Sequence, residues 1–479
     1  MVELSKLQKF LVEKSIIFPI AELYGSFAGF FDYGPLGVEL KRSIKDLWWK
    51  RFVEKKSDVY GMDGVIITHP KVWEASGHVS AFQDPLVECR KCKNRTRADH
   101  LVEDKLSMSA DGLSLPDLAR LINEHDLPCP TCGSRDLVDP KYFNLMFATR
   151  VGAAEGDTAY LRPETAQLIF VDFPRIYKSN RGKLPMGIAQ IGRAFRNEIS
   201  PRNFVFRGRE FEQMELEYFF NPKSKPELNV PDIEVNVLTR EAQKKSESHK
   251  KVKFKDLLKL TSEWHVFWLL LSYEFVLELG IKPENLRLRQ HTKEELSFYA
   301  KDTWDIDYNY PFGWKEMVGI ANRGDYDLQQ HAKFSNSDLS VMDGGKKIYP
   351  YVLEPSFGVD RLIMAMLSDA YEEEEKRQVL RLNPKVAPIQ VAVFPLVNKE
   401  GMDTLAKEIF DKLNFRAFYD DKGSIGRRYR RQDSIGTPYC ITIDGDTLKD
   451  KTVTLRERDN MKQKRVKISE IEGEIGASF

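Results

Sequence analysis

The chain has 479 residues, enough for roughly three cores at about 150 residues each. Its 73 basic and 72 acidic residues leave a net charge of +1, which excludes a polycation that coats nucleic acid; any such binding has to come from local patches. The most apolar stretch, Val266 to Leu279, is interrupted by Glu274 and Glu278 and is shorter than the ~20 residues a bilayer needs, and Met1 to Ser15 lacks the apolar run of a secretion signal, so the expectation is a cytoplasmic protein with a buried helix there.

In chain order, Pro35 to Lys55 carries Leu36, Leu40, Ile44, Leu47 and Phe52 at close to helical spacing, with Gly34-Pro35 as a start signal. A β-branched run from Asp63 to Thr68, ended by Pro70, predicts a strand. Two CxxC pairs follow, Cys89 with Cys92 and Cys129 with Cys132. Four thiolates so paired suit a tetrahedral zinc ion, and a site closed by four sulfurs has no position left for a substrate, so its role is structural. The long spacing between the pairs makes Asp84 to Pro140 a small inserted unit.

Gln190 to Phe220 reads as a β-hairpin in which parity sorts the side chains. Arg196 and Glu198 share a face of the first strand, and Arg207, Arg209, Phe211, Gln213 and Glu215 share one of the second. Met214, Leu216, Tyr218 and Phe220 form the opposite, apolar face. Guanidinium groups beside an aromatic ring suit a phosphate and a base. Asn221 to about Tyr299 is lysine-rich from Lys244 to Lys259, which reads as a solvated face or a nucleic-acid contact, and then helical. Tyr349 to Leu367 is an apolar strand, Glu354-Pro355-Ser356, a glycine, and a helix with Arg361 in its first turn, where dipole and guanidinium both favour phosphate. Glu372 to Glu375 reads as an acidic helix end and Asn383 to Pro388 as a linker. From Ile389 strands alternate with helices: Gln390 to Pro395, Met402 to Leu413, Phe415 to Tyr419 and Pro438 to Ile443, a largely parallel α/β domain with Cys440 buried in it. Between its strands, four arginines, Arg427, Arg428, Arg430 and Arg431, flank Tyr429, a set that can hold a phosphate backbone and stack a base.

Phe195-Arg196-Asn197-Glu198, a loop and Arg209-Glu210-Phe211 resemble motif 2 of the class II aminoacyl-tRNA synthetases; Glu354 to Arg361 resembles motif 3, and the helix and strand around Pro35 to Pro70 resemble motif 1. Tyr24-Gly25, Phe31 to Gly37, Ser76-Gly77-His78, Arg97 to His100, Arg162 to Gln167 and Glu354 to Gly358 together look like the dimeric glycyl-tRNA synthetases, over nearly the whole chain. Motif 3 departs from the commoner class pattern, reading Gly-Val-Asp-Arg where a second glycine is frequent. The resemblance implies an α+β core, an antiparallel sheet flanked by helices, split into residues 1–83, 141–220 and 300–384, interrupted by a zinc insertion (84–140) and a helical insertion (221–299), and followed by an anticodon-binding domain (385–479).

It further implies that glycine is activated with ATP and passed to tRNA(Gly) by a homodimer. ATP would be held by Arg196, Asn197, Glu198, Phe206, Arg207, Gly208, Arg209, Glu210 and Phe211 of motif 2, by Glu316 and Met317, and by Gly358, Val359, Asp360 and Arg361 of motif 3. Arg196 and Arg361 carry the catalytic charge on the phosphates, with Mg2+ near Glu316 and Glu354. Glycine would be held by Glu164 and Glu215 at its ammonium and Arg97 at its carboxylate, with Ser356 against the α-carbon; Phe211, Glu212, Gln213, Met214, Glu354, Pro355, Phe357 and Gly358 complete that pocket. Another class II synthetase, for proline or threonine, and a non-catalytic nucleic-acid-binding paralogue remain as the other readings.

Overall fold

A computed structural model describes residues 2–479 apart from 107, 109, 111, 154, 155, 298 and 400. Its centre is a nine-stranded sheet in the order Lys250–Lys253, Glu234–Leu238, Leu286–Gln290, Asp302–Tyr310, Gly313–Gly324, Tyr351–Gly358, Glu210–Phe220, Met186–Phe195 and Val59–Gly61. All neighbours are antiparallel except the pairs joining Glu234–Leu238 to Leu286–Gln290 and Val59–Gly61 to Met186–Phe195.

The alternation of the hairpin divides the sheet. Met214, Leu216 and Tyr218 are buried in one core with Val318, Ile320 and Phe357 of the neighbouring strands, against the helices Pro35–Trp49, Glu263–Glu278 and Val359–Ala370. The ring of Phe357 packs within 5.5–6.0 Å of Trp48, Phe52 and Phe275, and each such buried aromatic stabilises the fold by about 3 kcal/mol. The opposite face carries the polar residues and is closed by other parts of the chain.

The structure modifies four expectations. Asp63 to Thr68 is not one strand: Val59–Gly61 joins the main sheet, and Ile67–Thr68 joins a separate three-stranded sheet. Between them Gly64 donates its N–H to Gln190 Oε1 at 2.7 Å, and a Cβ at Gly64 would sit 2.8 Å from that oxygen, so the close approach needs glycine. Residues 221–299 contain the buried helix Glu263–Glu278, and they also add three strands to the edge of the main sheet. Glu372 to Glu375 does not end a helix; Tyr371–Glu374 pairs with Arg377–Leu380 as a hairpin whose glutamates are matched by Lys6, Arg377 and Arg381. The segment from Asn383 is a buried junction, with Val386 and Ala387 fully enclosed.

Residues 84–140 form a small unit with its own core of Val87, Leu101, Val102, Leu118 and Ile122. The C-terminal sheet has the order Ala417–Tyr419, Val391–Pro395, Tyr439–Ile443, Thr452–Glu457 and Gln463–Lys467; the first three strands are parallel and the last two antiparallel. Cys440 is buried there, as expected. The arginine cluster lies on the helix Ile425–Ile435, and its inner face takes half of it. Arg428 donates to the carbonyls of Pro395, Leu396 and Asp420, and the Tyr429 hydroxyl meets Thr442 at 2.6 Å. Tyr429 is therefore a packing residue and no platform for a base; Arg427, Arg430 and Arg431 are the exposed cations.

Candidate active site

Four strands align one residue each across the polar face: Gly319 opposite Ser356, Ser356 opposite Glu215, and Glu215 opposite Gln190. Period-2 alternation puts Gln213, Glu354 and Gly358 on the same side. Above them lies a cavity of about 270 Å³ with two chemically different ends.

The basic end is built by the motif 2 loop and the motif 3 helix. Arg196 donates from Nε to the carbonyl of Pro163 at 3.0 Å, and its guanidinium lies between the rings of Phe82 and Phe211, 5.4 and 5.2 Å away. Arg361 meets Glu316 at 3.1 Å and lies 4.7 Å over Phe206. Burial raises the Glu316 carboxyl, but Arg361, His291, Arg289 and Arg196 outweigh it and bring it below its ordinary value. Glu198 Oε2 and Arg207 Nη1 are buried without a protein partner, one acceptor and one donor at the cavity. Such groups are costly unless a ligand satisfies them.

The acidic end surrounds one buried guanidinium. Arg323 is gripped by Asp327 at 2.7 and 2.8 Å and by Glu354 at 2.5 Å, with Glu164 at 3.8 Å, and lies 3.7 Å from the ring of Tyr299. Glu215 accepts from Ser356 Oγ at 2.7 Å, Gln213 Nε2 at 2.9 Å, the Thr165 N–H at 2.9 Å and the Thr165 hydroxyl. Glu217 is buried beside Glu354, with neither oxygen paired. Five carboxyl groups thus face one arginine. Burial and the neighbouring Glu215 and Glu164 charges push Glu354 up to about 8 against the pull of Arg323. Burial and Glu164 also raise Glu215, whereas His78 and Arg323 overcome burial and hold Glu164 low. A region of this kind attracts a cation.

Of the residues read from sequence, Glu164, Arg196, Glu198, Phe206, Arg207, Gly208, Phe211, Glu212, Gln213, Glu215, Glu316, Glu354, Ser356, Gly358, Asp360 and Arg361 line this cavity. Others do not. Met214, Met317, Phe357 and Val359 point into the core, and Pro355 shares the inward parity of Phe357. Arg209 and Glu210 precede or open the strand Glu210–Phe220, so the alternation does not carry back to them: Arg209 donates outward to Glu198 and Ala28 carbonyls, and Glu210 pairs with Arg193. Asn197 meets the chain of residue Leu145 through its N–H. Arg97 is held by Asp84 at 2.7 Å and Asp99 at 2.5 Å, near Glu198 and Arg207 and away from the acidic end. Glu354 serves Arg323 and not the Glu316 region. Glu212 and Asp360 are tied from behind by Lys41 at 3.3 and 3.1 Å.

Sequence reading missed His291, Tyr299, Thr303, Asp305, Gly319 and Ala321 of the lining, and Arg323 and Phe82 behind it. The alternation Thr303-Trp304-Asp305-Ile306-Asp307 was a signal for the strand residues; nothing local marks Tyr299 or Phe82.

In the inserted unit, Cys89 and Cys132 sulfurs stand 3.6 Å apart, as do Cys92 and Cys129, and all four lie within 4.8 Å of one another. A tetrahedron with Zn–S bonds of about 2.3 Å has edges near 3.8 Å, so the donor set fits zinc. Backbone amides of Cys92 and Lys91 help bring the Cys89 thiol down to about 6, while burial and the sulfurs of Cys132, Cys129 and Cys89 push the Cys92 thiol up to about 12, opposed shifts that follow from crowding four thiols together.

This fold and this two-ended cavity define a class II aminoacyl-tRNA synthetase. Residues 150–370 match the tRNA synthetase class II core domain (G, H, P, S and T), and residues 390–477 the anticodon binding domain. A solved prolyl-tRNA synthetase from Cryptosporidium parvum, complexed with L-proline and AMP, superposes with a TM-score of 0.58 at 15% identity, covering 98% of this chain and 76% of that one. The chain is 46% identical to the glycine–tRNA ligase of Caldanaerobacter subterraneus subsp. tengcongensis and to that of Clostridium acetobutylicum, over 98% of this chain and 97% of each relative. It belongs to the glycine–tRNA ligase family.

Proposed function

We propose that the protein couples ATP to the activation of glycine and transfers the glycyl group to the 3′ end of tRNA(Gly). The observation that carries this is the polarity of the cavity: arginines, two of them packed on aromatic rings, at one end, and an excess of carboxyl groups at the other. The glycine carboxylate oxygen attacks the α-phosphorus of ATP, the bond to the β-phosphate oxygen breaks, and pyrophosphate leaves; a tRNA ribose hydroxyl then attacks the carbonyl carbon and AMP leaves. No protein base is required for the first step, because the carboxylate is already a nucleophile.

Arg196, fixed by Pro163 and two rings, neutralises charge growing at the α-phosphate. Arg207 and Arg361 hold the outer phosphates, Glu198 Oε2 accepts from the adenine amine, and Phe211 stacks on the ring. Mg2+ would spread phosphate charge, and Glu316, which pairs with Arg361 at the basic end, would be the carboxylate to hold it. Glu164 and Glu215 receive the ammonium, and Ser356 and Tyr299 wall a space that a larger side chain would overfill.

Zinc in the four-cysteine site is structural. The arginines left exposed on Ile425–Ile435 suit an RNA backbone, and Leu396, Val397 and Phe418, each more than 40% exposed, suit bases. The apolar side chains Leu23, Tyr24 and Phe27, in the segment that precedes the Pro35–Trp49 helix, are 73–93% exposed and support a homodimer contact. No helix among the described residues is long and apolar enough to cross a membrane. A cytoplasmic site of action follows from the proposed tRNA substrate. Pyrophosphate exchange with each of the twenty amino acids tests the reading: glycine alone should support it, and exchange with proline or threonine instead would overturn it.

A further inference from the structure

Ser76-Gly77-His78 lies outside the expected binding residues, yet it ends behind Glu164. Gly77 has φ +85°, the left-handed region that other residues rarely take, and this turn folds His78 back so that its Nδ1 meets Ser76 Oγ at 2.8 Å. His78 Nε2 then lies 3.3 Å from Glu164 Oε2, while Glu164 Oε1 accepts from Gln167 Nε2 at 2.9 Å. Gln167 is itself fixed by His331 and Asp327 at 2.8 and 3.0 Å. The imidazole is 4% exposed and held edge-on against Trp73 and beside Phe82, with centroids 5.6 and 5.4 Å away.

We infer that His78 is a positioning residue for the amino-acid subsite: the Ser76-Gly77-His78 turn orients the Glu164 carboxylate so that it presents to the substrate ammonium. Glu164 Oε1 has a protein donor in Gln167, Oε2 rests beside the imidazole edge, and the carboxylate retains acceptor capacity toward the cavity that Glu164 lines. Ser76 fixes the ring, the ring fixes Glu164, and the arginine Arg323 stands farther from Glu164, at 3.8 Å, than the imidazole does. This rests on Glu164 receiving the ammonium.

The test uses the intact protein and pyrophosphate exchange, with KM for glycine and for ATP measured separately for His78→Phe, His78→Gln, Ser76→Ala and Glu164→Gln. Phenylalanine keeps the ring packing and removes both nitrogens; glutamine returns an N–H near the Nε2 position. His78→Phe should raise the glycine KM by on the order of tenfold or more, with the ATP KM within about twofold of the parent. His78→Gln should recover most of the loss, and Ser76→Ala should raise the glycine KM less than His78→Phe. A glycine KM within about twofold in His78→Phe, a parallel rise in both constants, or no recovery in His78→Gln would overturn the inference. If Glu164→Gln itself leaves the glycine KM unchanged, the placement of the ammonium has failed; if it raises that KM and His78→Phe does not, only the positioning role has.

Discussion

Ser356 Oγ donates to Glu215 Oε1 at 2.7 Å across two adjacent antiparallel strands, so the motif 3 strand supports a carboxylate that belongs to motif 2. The pair joins sequence positions 141 residues apart. Ser356→Ala removes one donor from a carboxyl that burial and Glu164 already push up. Losing that donor removes one of the hydrogen bonds that fix the carboxylate and favour its charged form, so the glycine KM should increase by about tenfold with the ATP KM little changed. Separate KM measurements for the two substrates in pyrophosphate exchange check it.

Arg196 is the residue whose loss should cost the first step most. Arg196→Ala should lower the exchange kcat by about 10²–10³. Phe82→Ala removes one of the two rings that flank the guanidinium and should lower the exchange kcat about tenfold, with a smaller rise in the glycine KM because the same ring packs beside His78. Equal effects of Phe82→Ala on glycine and ATP constants would point to a general loss of packing.

The carboxyl of Glu354 sheds its proton near 4.5 when unfolded and at about 8 in the folded protein. The folded state therefore binds more protons between these values, and this group makes stability fall as pH rises from about 4.5 to 8. Above 8 the cost is complete. Glu354→Gln should raise the melting temperature more at pH 8.5 than at pH 5. Thermal melts at the two pH values check the sign.

Removing zinc with a chelator should loosen residues 84–140 first, because their core is small and four converging thiols would face one another without a cation. Hydrogen exchange should show the loss there before it appears in the main sheet, and Cys129→Ser should reproduce it.

Phe357→Ala should destabilise the protein by about 3–5 kcal/mol, since the ring is fully buried among Trp48, Phe52 and Phe275. Near the unfolding midpoint activity should be lost, yet the glycine KM of the folded fraction should be nearly that of the parent. Denaturant titration with kinetics below the midpoint separates the two.

What the amino-acid order determined by itself is local: the two-residue period that splits Phe211, Gln213 and Glu215 from Met214 and Leu216, the strand–helix junction that puts Arg361 at a helix start, and the paired CxxC knuckles. These rest on backbone geometry that repeats over a few residues, so they can be read along the chain. The tertiary structure decided which charges remain free. Arg97 and Glu354 look like ligand residues in the sequence, but Asp84, together with the near neighbour Asp99, takes up Arg97, and Arg323 from another strand takes up Glu354. Arg428 and Tyr429 look like an RNA contact until the helix sets them against Pro395, Leu396 and Thr442. A helix or loop residue acquires its partner only when another element packs on it, and a charge's role depends on that partner and its burial, neither of which the sequence spacing contains.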